Sequence, residues 1–208
     1  MSTAVSSTPL LVVITAPSGV GKSTLCDNMR SALPDVSRAV TCTTREPRSG
    51  EVEGVDYYFL GEEEFLARVD SDEFLENALV HGSHYGVLKS ELHAKLASGG
   101  DLLLNIDVQG AATIRERAAA DPVLRQSLIT VFLRPPSLEE LEQRLRGRGT
   151  DSDEVIARRL AIAKDEMDQA EKFDHTLTSQ TREADVDRLL GIIENVRLAK
   201  REAIPTHE

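Results

Sequence analysis

The apolar positions of the chain fall into short unbroken runs, which are typical of strands buried on both faces of a parallel sheet. The three clearest runs cover residues 10–15, 102–107 and 128–133, and each is rich in Leu, Val and Ile. The weaker strand candidates are residues 36–42, 55–60 and 175–178. The pattern therefore predicts strands distributed along most of the chain.

The stretches between these runs carry helical patterns. The predicted helices are residues 22–33, 62–70, 88–97, 138–146, 151–173 and 184–201. Ser137 stands before one of them with Glu140 three residues later, which is a capping-box pattern. Because helices alternate with buried strands, the sequence predicts an α/β fold on a parallel central sheet.

Composition narrows the classes of function. The chain has 208 residues, 24 Lys and Arg against 35 Asp and Glu, and a net charge of -11. This acidic balance argues against nucleic acid or an anionic membrane as a partner. A hydrophobic fraction of 40% is sufficient for a packed core, so a wholly disordered chain is excluded.

Two further features bear on the compartment. Cys26 and Cys42 are too few for a disulfide scaffold and fit a reducing environment. No apolar run approaches the roughly 20 residues of a membrane helix, and residues 1–9 lack the basic region of a secretory signal. We therefore expect a cytoplasmic protein.

A phosphate-binding loop follows the first strand. The pattern is that of a Gly-x-x-x-x-Gly-Lys-[Ser/Thr] loop with Ala at its first position. Glycines let the backbone N–H groups turn inward toward a polyphosphate, and the next helix adds its positive N-terminal end. The lysine reaches the outer phosphates and the serine hydroxyl ligates Mg²⁺. The predicted residues are Ala16, Pro17, Ser18, Gly19, Val20, Gly21, Lys22, Ser23 and Thr24.

A second segment makes the prediction more specific. Residues 43–59 read TTREPRSGEVEGVDYYF, downstream of APSGVGKST at 16–24. Together these segments resemble the guanylate kinase family, which phosphorylates GMP from ATP, and the likeness extends from residue 10 to about residue 173. The resemblance implies a P-loop NTPase three-layer fold, ATP at the phosphate loop, GMP and dGMP as acceptors, and Mg²⁺ as the cofactor at Ser23.

The resemblance also implies the acceptor site. The residues matching the family's GMP-binding positions are Thr41, Arg45, Arg48, Tyr57, Glu76, Tyr85, Gly86 and Asp107. Arg45 and Arg48 correspond to the pair that holds the GMP phosphate. Glu76 and Asp107 correspond to acids near the guanine edge, where N1–H and the 2-amino group offer donors to a carboxylate.

An arginine-rich segment follows the third buried strand. Arg144 matches a family position beside the adenine, whereas Arg148 and Arg159 match positions that contact the transferring phosphate. Phosphoryl transfer depends on positioning and charge stabilisation and needs no side-chain nucleophile. We therefore assign the catalytic roles to Lys22, Arg45, Arg148 and Arg159, and none to a histidine.

The implied organisation has three parts. Residues 1–39, 98–137 and 160–208 form the P-loop core, residues 40–97 a mixed α+β GMP-binding region, and residues 138–159 a helical lid. The oligomeric state is left open between monomer and homodimer.

Three residues depart from the family pattern. Val87 replaces a hydroxyl residue that helps to bind guanine, and Asn105 replaces an acid near the Mg²⁺ site. Ser179 stands where the family has Asn-Asp beside adenine. Two alternatives remain at this point: a kinase of another small acceptor, and a non-catalytic guanylate-kinase-like module that binds phosphopeptides.

Overall fold

The structure, a computed structural model, describes residues 8–33, 36–80, 82–147, 149 and 151–202. The strands are β1 (Leu11–Thr15), β2 (Val36–Arg38), β3 (Thr41–Thr43), β4 (Tyr57–Phe59), β5 (Phe74–Val80), β6 (Ser83–Leu88), β7 (Asp101–Asn105), β8 (Leu128–Arg134) and β9 (His175–Thr178). The helices are α1 (Lys22–Ala32), α2 (Glu62–Asp70), α3 (Lys89–Ala97), α4 (Val108–Ala118), α5 (Pro122–Ser127), α6 (Leu138–Arg146), α7 (Asp153–Met167) and α8 (Arg182–Glu202), with a 3₁₀ turn at Ala170–Lys172.

The main sheet is parallel and has the order β2-β7-β1-β8-β9. Its central strand β1 is fully buried, because successive side chains point to opposite faces and both faces are covered. Val12 and Ile14 join one core cluster with residues of α1 and α8, whereas Leu11 and Val13 join another with α3 and α4. The predicted α/β three-layer fold is therefore confirmed.

The strands between β2 and β7 in the sequence, β3 to β6, form a smaller mixed sheet. Its order is β4-β3-β6-β5, with β3 parallel to β4 and antiparallel to β6. Cys42, Phe65, Phe74 and Leu88 form its own small core, and the two phenylalanine rings stack 4.4 Å apart. This sheet lies within residues 40–97, the region that the resemblance implies for GMP binding.

Several element boundaries differ from the sequence predictions. Residues 36–42 are not one strand. They contain β2 and the start of β3, which lie in different sheets. The sequence does not show this crossing, because no Gly or Pro separates the two strands. The long helix predicted at 151–173 covers only Asp153–Met167 before the 3₁₀ turn. The hairpin β5–β6 and helices α4 and α5 were not predicted, because their apolar positions are interrupted by polar residues.

One predicted cap is half formed. The Ser137 hydroxyl accepts a hydrogen bond from the Glu140 N–H at 3.2 Å, as a capping box requires. The Glu140 carboxylate does not return to the Ser137 backbone; it pairs with Arg144 at 2.7 Å, one turn further along α6. This acid therefore orients an arginine that matters for the site.

Two remaining observations concern the environment. Cys26 and Cys42 are both buried free thiols, and burial raises the pKa of Cys26 to about 11 and that of Cys42 to about 12. Across the residues described above, no helix is both long and apolar enough to cross a membrane.

Candidate active site

The phosphate loop connects β1 to α1 at the carboxyl edge of the main sheet, where ligands of open parallel sheets bind. Gly19 and Gly21 have φ angles of +98° and +116°, which side-chain-bearing residues rarely adopt. A Cβ atom on Gly19 would also lie 2.8 Å from the Leu145 side chain of α6. The curled backbone therefore favours glycine at position 19, and a side chain there would also displace Leu145.

Lys22 begins α1 directly after this loop. Its ammonium group donates a hydrogen bond to the carbonyl oxygen of Ile106 at 2.6 Å, just beyond the end of β7. Burial lowers the pKa of Lys22, while the nearby acids Asp107 and Glu166 act in the opposite direction. The lysine ammonium group is therefore partly buried and hydrogen-bonded to a carbonyl oxygen, which a phosphate oxygen could replace.

Ser23 is the predicted Mg²⁺ ligand. Its hydroxyl accepts a hydrogen bond from the Asn105 amide at 3.4 Å, so the two oxygen-bearing side chains face each other at the end of β7. Among the described residues, no cluster of three or more His, Cys, Asp or Glu side chains could hold a metal. A serine with an amide neighbour nevertheless fits Mg²⁺, which commonly keeps several waters and takes the rest of its ligands from substrate phosphates.

A cavity of about 400 Å³ lies between the two sheets and the side of α1. One part of its wall carries the carboxylates of Glu76 and Asp107, and another carries the polar side chains of Thr41, Tyr57 and Tyr85. Gly86, Val87 and Leu103 contribute to the apolar lining, and Ser23 belongs to the same cavity. The cavity therefore places predicted acceptor-site residues beside the phosphate loop.

The two acids of the cavity lie close together. Glu76 is 7% exposed and stands on β5, at a bulge between Phe74 and Glu76. Burial, reinforced by the charge of Asp107, raises the pKa of Glu76 to about 7. Asp107 caps α4 by accepting a hydrogen bond from the Gly110 N–H at 2.7 Å. A Cβ atom on Gly110 would lie 3.2 Å from the Glu76 carboxyl group, so glycine permits this close approach.

Arg45 follows β3 and is held by Glu51, an acid that is not among the predicted site residues. Its two terminal nitrogens donate to the Glu51 carboxylate at 2.8 and 2.9 Å, a bidentate pair. The Arg48 backbone N–H donates to the same carboxylate at 2.7 Å. These contacts lower the pKa of Glu51 to about 2, so it remains ionised throughout the working pH range.

The donor geometry of Arg45 shows which edge remains available. Its Nε is buried and has no hydrogen-bond partner among the described residues. Its guanidinium lies 5.3 Å from the centroid of the Tyr57 ring, and Tyr57 meets Tyr85 edge to face at 6.1 Å. Glu51 thus fixes one side of the guanidinium and leaves the other side near the tyrosines.

We expect Glu51→Gln to raise the KM for the acceptor about 10-fold, because a charge-assisted bidentate pair that orients Arg45 is lost. Steady-state kinetics at fixed donor concentration measures this change. Glu46→Gln is the matched control, since Glu46 is exposed in the same loop. A lower KM in Glu51→Gln would contradict this role and would mean that Glu51 competes with the acceptor for Arg45.

A second cavity of about 220 Å³ lies behind the phosphate loop. Arg144 lines it and donates to the Val20 carbonyl oxygen at 3.0 Å and to the Ser179 hydroxyl at 3.4 Å. Ser179 in turn donates to Asp185, which also accepts from the Gln180 N–H at 2.8 Å. Thr24 and Asn28 of α1 and Arg182 of α8 also line this cavity. This cavity is the available place for a donor base.

Of the arginines predicted in and after α6, Arg144 lines the second cavity, whereas Arg159 lines neither cavity in this structure. Arg159 pairs with Asp151 at 3.1 Å, and Arg146 pairs with Glu142 and Asp153. Arg148 lies outside the described residues. Arg48 is exposed, with its side chain directed to no described partner.

The structure thus brings together most of the predicted residues but not all. Three groups are brought together: the phosphate loop and the start of α1, the lining of the first cavity, and Arg45 beside Tyr57. Their members are Gly19, Gly21, Lys22, Ser23, Thr41, Arg45, Tyr57, Glu76, Tyr85, Gly86 and Asp107. Glu51 was missed, and the signal was present in its spacing, six residues after Arg45 within one charged loop. The contact itself depends on how that loop folds back.

Comparisons with known proteins agree with this geometry. The family model described as guanylate kinase matches residues 8–196. A guanylate kinase of Bifidobacterium longum is 48% identical over 82% of this chain and 86% of its own length. A guanylate kinase of Idiomarina loihiensis is 46% identical over 94% of this chain and 89% of its own length. The crystal structure of guanylate kinase from Anaplasma phagocytophilum has a TM-score of 0.67 at 31% identity, covering 97% of this chain and 89% of that one. A gluconokinase of Sinorhizobium meliloti, at 15% identity and a TM-score of 0.51, shares the fold.

Proposed function

The chain belongs to the guanylate kinase family and phosphorylates GMP from ATP, and we propose that it does so across the junction of its two cavities. The observation that carries this proposal is the first cavity, where two carboxylates and a tyrosine-lined wall share one space with the phosphate loop. GMP has the complementary polarity, since its base edge offers donors and its phosphate is an anion.

GMP lies in the first cavity, with its guanine edge toward Glu76 and Asp107. A carboxylate accepts both N1–H and the 2-amino group, a donor pair that adenine lacks. The phosphate binds Arg45, Arg48, Tyr57, Tyr85 and Thr41. The buried Nε of Arg45, which has no hydrogen-bond partner in the described part of the chain, supports this placement, because a phosphate oxygen would satisfy it.

ATP lies along residues 16–24 with its base in the second cavity beside Arg144. The backbone N–H groups of the loop and the start of α1 receive the phosphates. Lys22 exchanges its contact with the Ile106 carbonyl oxygen for phosphate oxygens. The loss of the family's Asn-Asp at Ser179 is partly offset by Asp185, whose carboxylate lines the same cavity.

A phosphate oxygen of GMP attacks the γ-phosphorus of ATP in line, and the bond from that phosphorus to the bridging oxygen of ADP breaks. Lys22 and Arg45 neutralise charge on the transferring group, and Arg148 and Arg159 join them when the lid closes. Mg²⁺, held at Ser23, supplies further neutralisation of the phosphate charge when bound. No side chain forms a covalent intermediate.

The organisation follows the same division as the sequence: a core, a GMP-binding region at 40–97 and a lid at 138–159. Closure of the lid is required because Arg159 is paired with Asp151 and lines neither cavity. The two buried free thiols fit a reducing cytoplasm. Glu76 argues against another acceptor, and the intact Lys22, Ser23 and Arg144 argue against a phosphopeptide-binding module.

A coupled assay with GMP, dGMP, AMP and UMP at fixed ATP tests the function, with EDTA as the metal-removal arm. We expect turnover with GMP and dGMP, at least 100-fold less with AMP and UMP, and loss of turnover with EDTA that added Mg²⁺ restores. Turnover of AMP equal to that of GMP would overturn the acceptor assignment. Full activity in EDTA would overturn the cofactor assignment.

A further inference from the structure

The wall of the first cavity carries two arginines that are not among the residues assigned to the GMP phosphate. Among the described residues that line this cavity, the arginines are Arg30 of α1 and Arg38 of β2. Arg45 and Arg48 do not line it. The positive charge directed at the acceptor space therefore comes in large part from residues outside the clamp segment.

Arg38 is placed at the phosphate end of this space. Its guanidinium carbon lies 5.6 Å from the centroid of the Tyr57 ring, and the Arg45 guanidinium lies 5.3 Å from the same ring. Two guanidinium groups thus lie within 6 Å of the centroid of one tyrosine ring. Such an arrangement favours an anion between or beside them.

The backbone of Arg38 is fixed to the core sheet rather than to the smaller sheet. Arg38 pairs in register with Leu103 of β7, and its carbonyl oxygen accepts a hydrogen bond from the Lys95 ammonium at 2.7 Å. Lys95 is itself paired with Glu91 at 2.9 Å. The side chain therefore projects from a rigid position.

Its neighbours leave the guanidinium available to a ligand. In the ranges that the structure describes, no carboxylate lies within 4.0 Å of the Arg38 guanidinium, whereas Arg45 is engaged by Glu51. Glu76, whose pKa is raised by burial and by the charge of Asp107, shares the cavity with Asp107 and Arg38. A ligand with donors at one end and a phosphate at the other satisfies both sets of charges.

We propose that Arg38 is a further ligand of the acceptor's 5′-phosphate, acting beside Tyr57 from the core sheet. This proposal rests on the proposed function, because it takes GMP as the occupant of the cavity. Arg38 supplies a cation that does not depend on the conformation of the loop carrying Arg45 and Arg48. It binds the phosphate dianion directly through guanidinium N–H donors.

The test compares GMP with guanosine in the ligand-free full-length protein. We expect Arg38→Met to raise the Kd for GMP about 10-fold by titration calorimetry, and to leave the Kd for guanosine unchanged, because guanosine has no phosphate. Arg125→Met is the matched control: it removes the same charge from an exposed position on α5, before the amino end of β8. If Arg38→Met does not fold, the same titrations are made with Arg38→Gln, and the same result is expected.

A double-mutant cycle with Tyr57→Phe separates direct binding from support of the tyrosine hydroxyl. Direct binding predicts that Arg38→Met still raises the Kd for GMP in the Tyr57→Phe background. If the effect of Arg38→Met disappears in the Tyr57→Phe background, Arg38 is only a positioning residue and the proposal is overturned. An unchanged Kd for GMP, or equal weakening of GMP and guanosine, also overturns it. The wild-type turnover assay is independent, so failure of the proposed function is seen separately.

Discussion

Replacing Lys22 by methionine should lower kcat about 10³-fold while changing the Kd for GMP less than two-fold. The methionine keeps the length of the stem but removes the one cation that the phosphate loop itself supplies. Removal of a single preorganised charge-stabilising donor typically costs 10²–10³ in rate, and removal of an arginine that acts on the transferring phosphate costs 10³–10⁵. Lys22 does not line the first cavity, where we propose that GMP binds, so acceptor binding should persist.

Single-turnover kinetics with saturating ATP and GMP measures the chemical step directly. Lys164→Met is the matched control, because Lys164 is exposed on α7 and the substitution removes the same charge. A thermal melt of the Lys22 variant separates loss of chemistry from loss of folding, since the Lys22–Ile106 contact is also removed. A kcat within 10-fold of the wild type would show that the lysine is not part of the transfer step.

Local patterns explain why this part of the site could be predicted from sequence. The loop from Ala16 to Ser23 is continuous in the chain, and its glycines are needed for a backbone shape that few residues adopt. Strands β1, β7 and β8 were also predicted correctly, because strands buried on both faces are unbroken apolar runs. In both cases the determining interactions are encoded within a few neighbouring residues.

Other features depend on contacts between distant segments. Cys42 continues the apolar pattern of β2, yet it belongs to another sheet, and only the pairing of Arg38 with Leu103 shows where β2 ends. The hairpin that carries Glu76 was missed because its strands face water in part. Glu76 was predicted as a GMP-binding residue from the family resemblance and not from the apolar pattern.

The electrostatic state of Glu76, the acid that we propose binds the guanine edge, could not be predicted from sequence. Glu76 lies 31 positions before Asp107, and the two become neighbours only because α4 packs against β5 with Gly110 at the contact. Burial in that contact is what raises the pKa of Glu76. The same sequence, with the two segments apart, would leave an ordinary surface carboxylate.

Replacing Glu76 by glutamine should lower kcat/KM for GMP by 10²–10³. A buried carboxylate accepts two hydrogen bonds from guanine, whereas the amide accepts one and places a donor against a donor. The amide instead complements adenine, which pairs an acceptor with a donor, so the ratio of AMP to GMP turnover should rise. Glu73→Gln on the exposed turn before β5 is the matched control. An unchanged ratio would remove Glu76 from base recognition.

The raised pKa of Glu76 makes GMP binding depend on pH. The group titrates near pH 7 in the free protein, and guanine donors lower its pKa in the complex by stabilising the carboxylate. GMP binding should therefore weaken as the pH falls below 7, by up to about 10-fold per unit. Guanosine reports this dependence without the titration of a phosphate. Glu76→Gln should bind guanosine weakly but equally at pH 6 and pH 8.

The same carboxylate should reduce the stability of the ligand-free protein. Its pKa is about 7 in the folded chain and 4.5 when unfolded, so the folded state holds the extra proton between these values. The cost of ionising it is small below pH 4.5, grows through this window and is complete above pH 7. Glu76→Gln should therefore raise the free energy of unfolding by roughly 1–3 kcal/mol at pH 8, with a smaller gain at pH 5. Urea unfolding at the two pH values measures the difference.

A variant that is less stable than the wild type at pH 8 would contradict the burial of a charged group at this position. A variant that is more stable yet fails to use GMP would show that the enzyme keeps a destabilising charge because guanine recognition requires it.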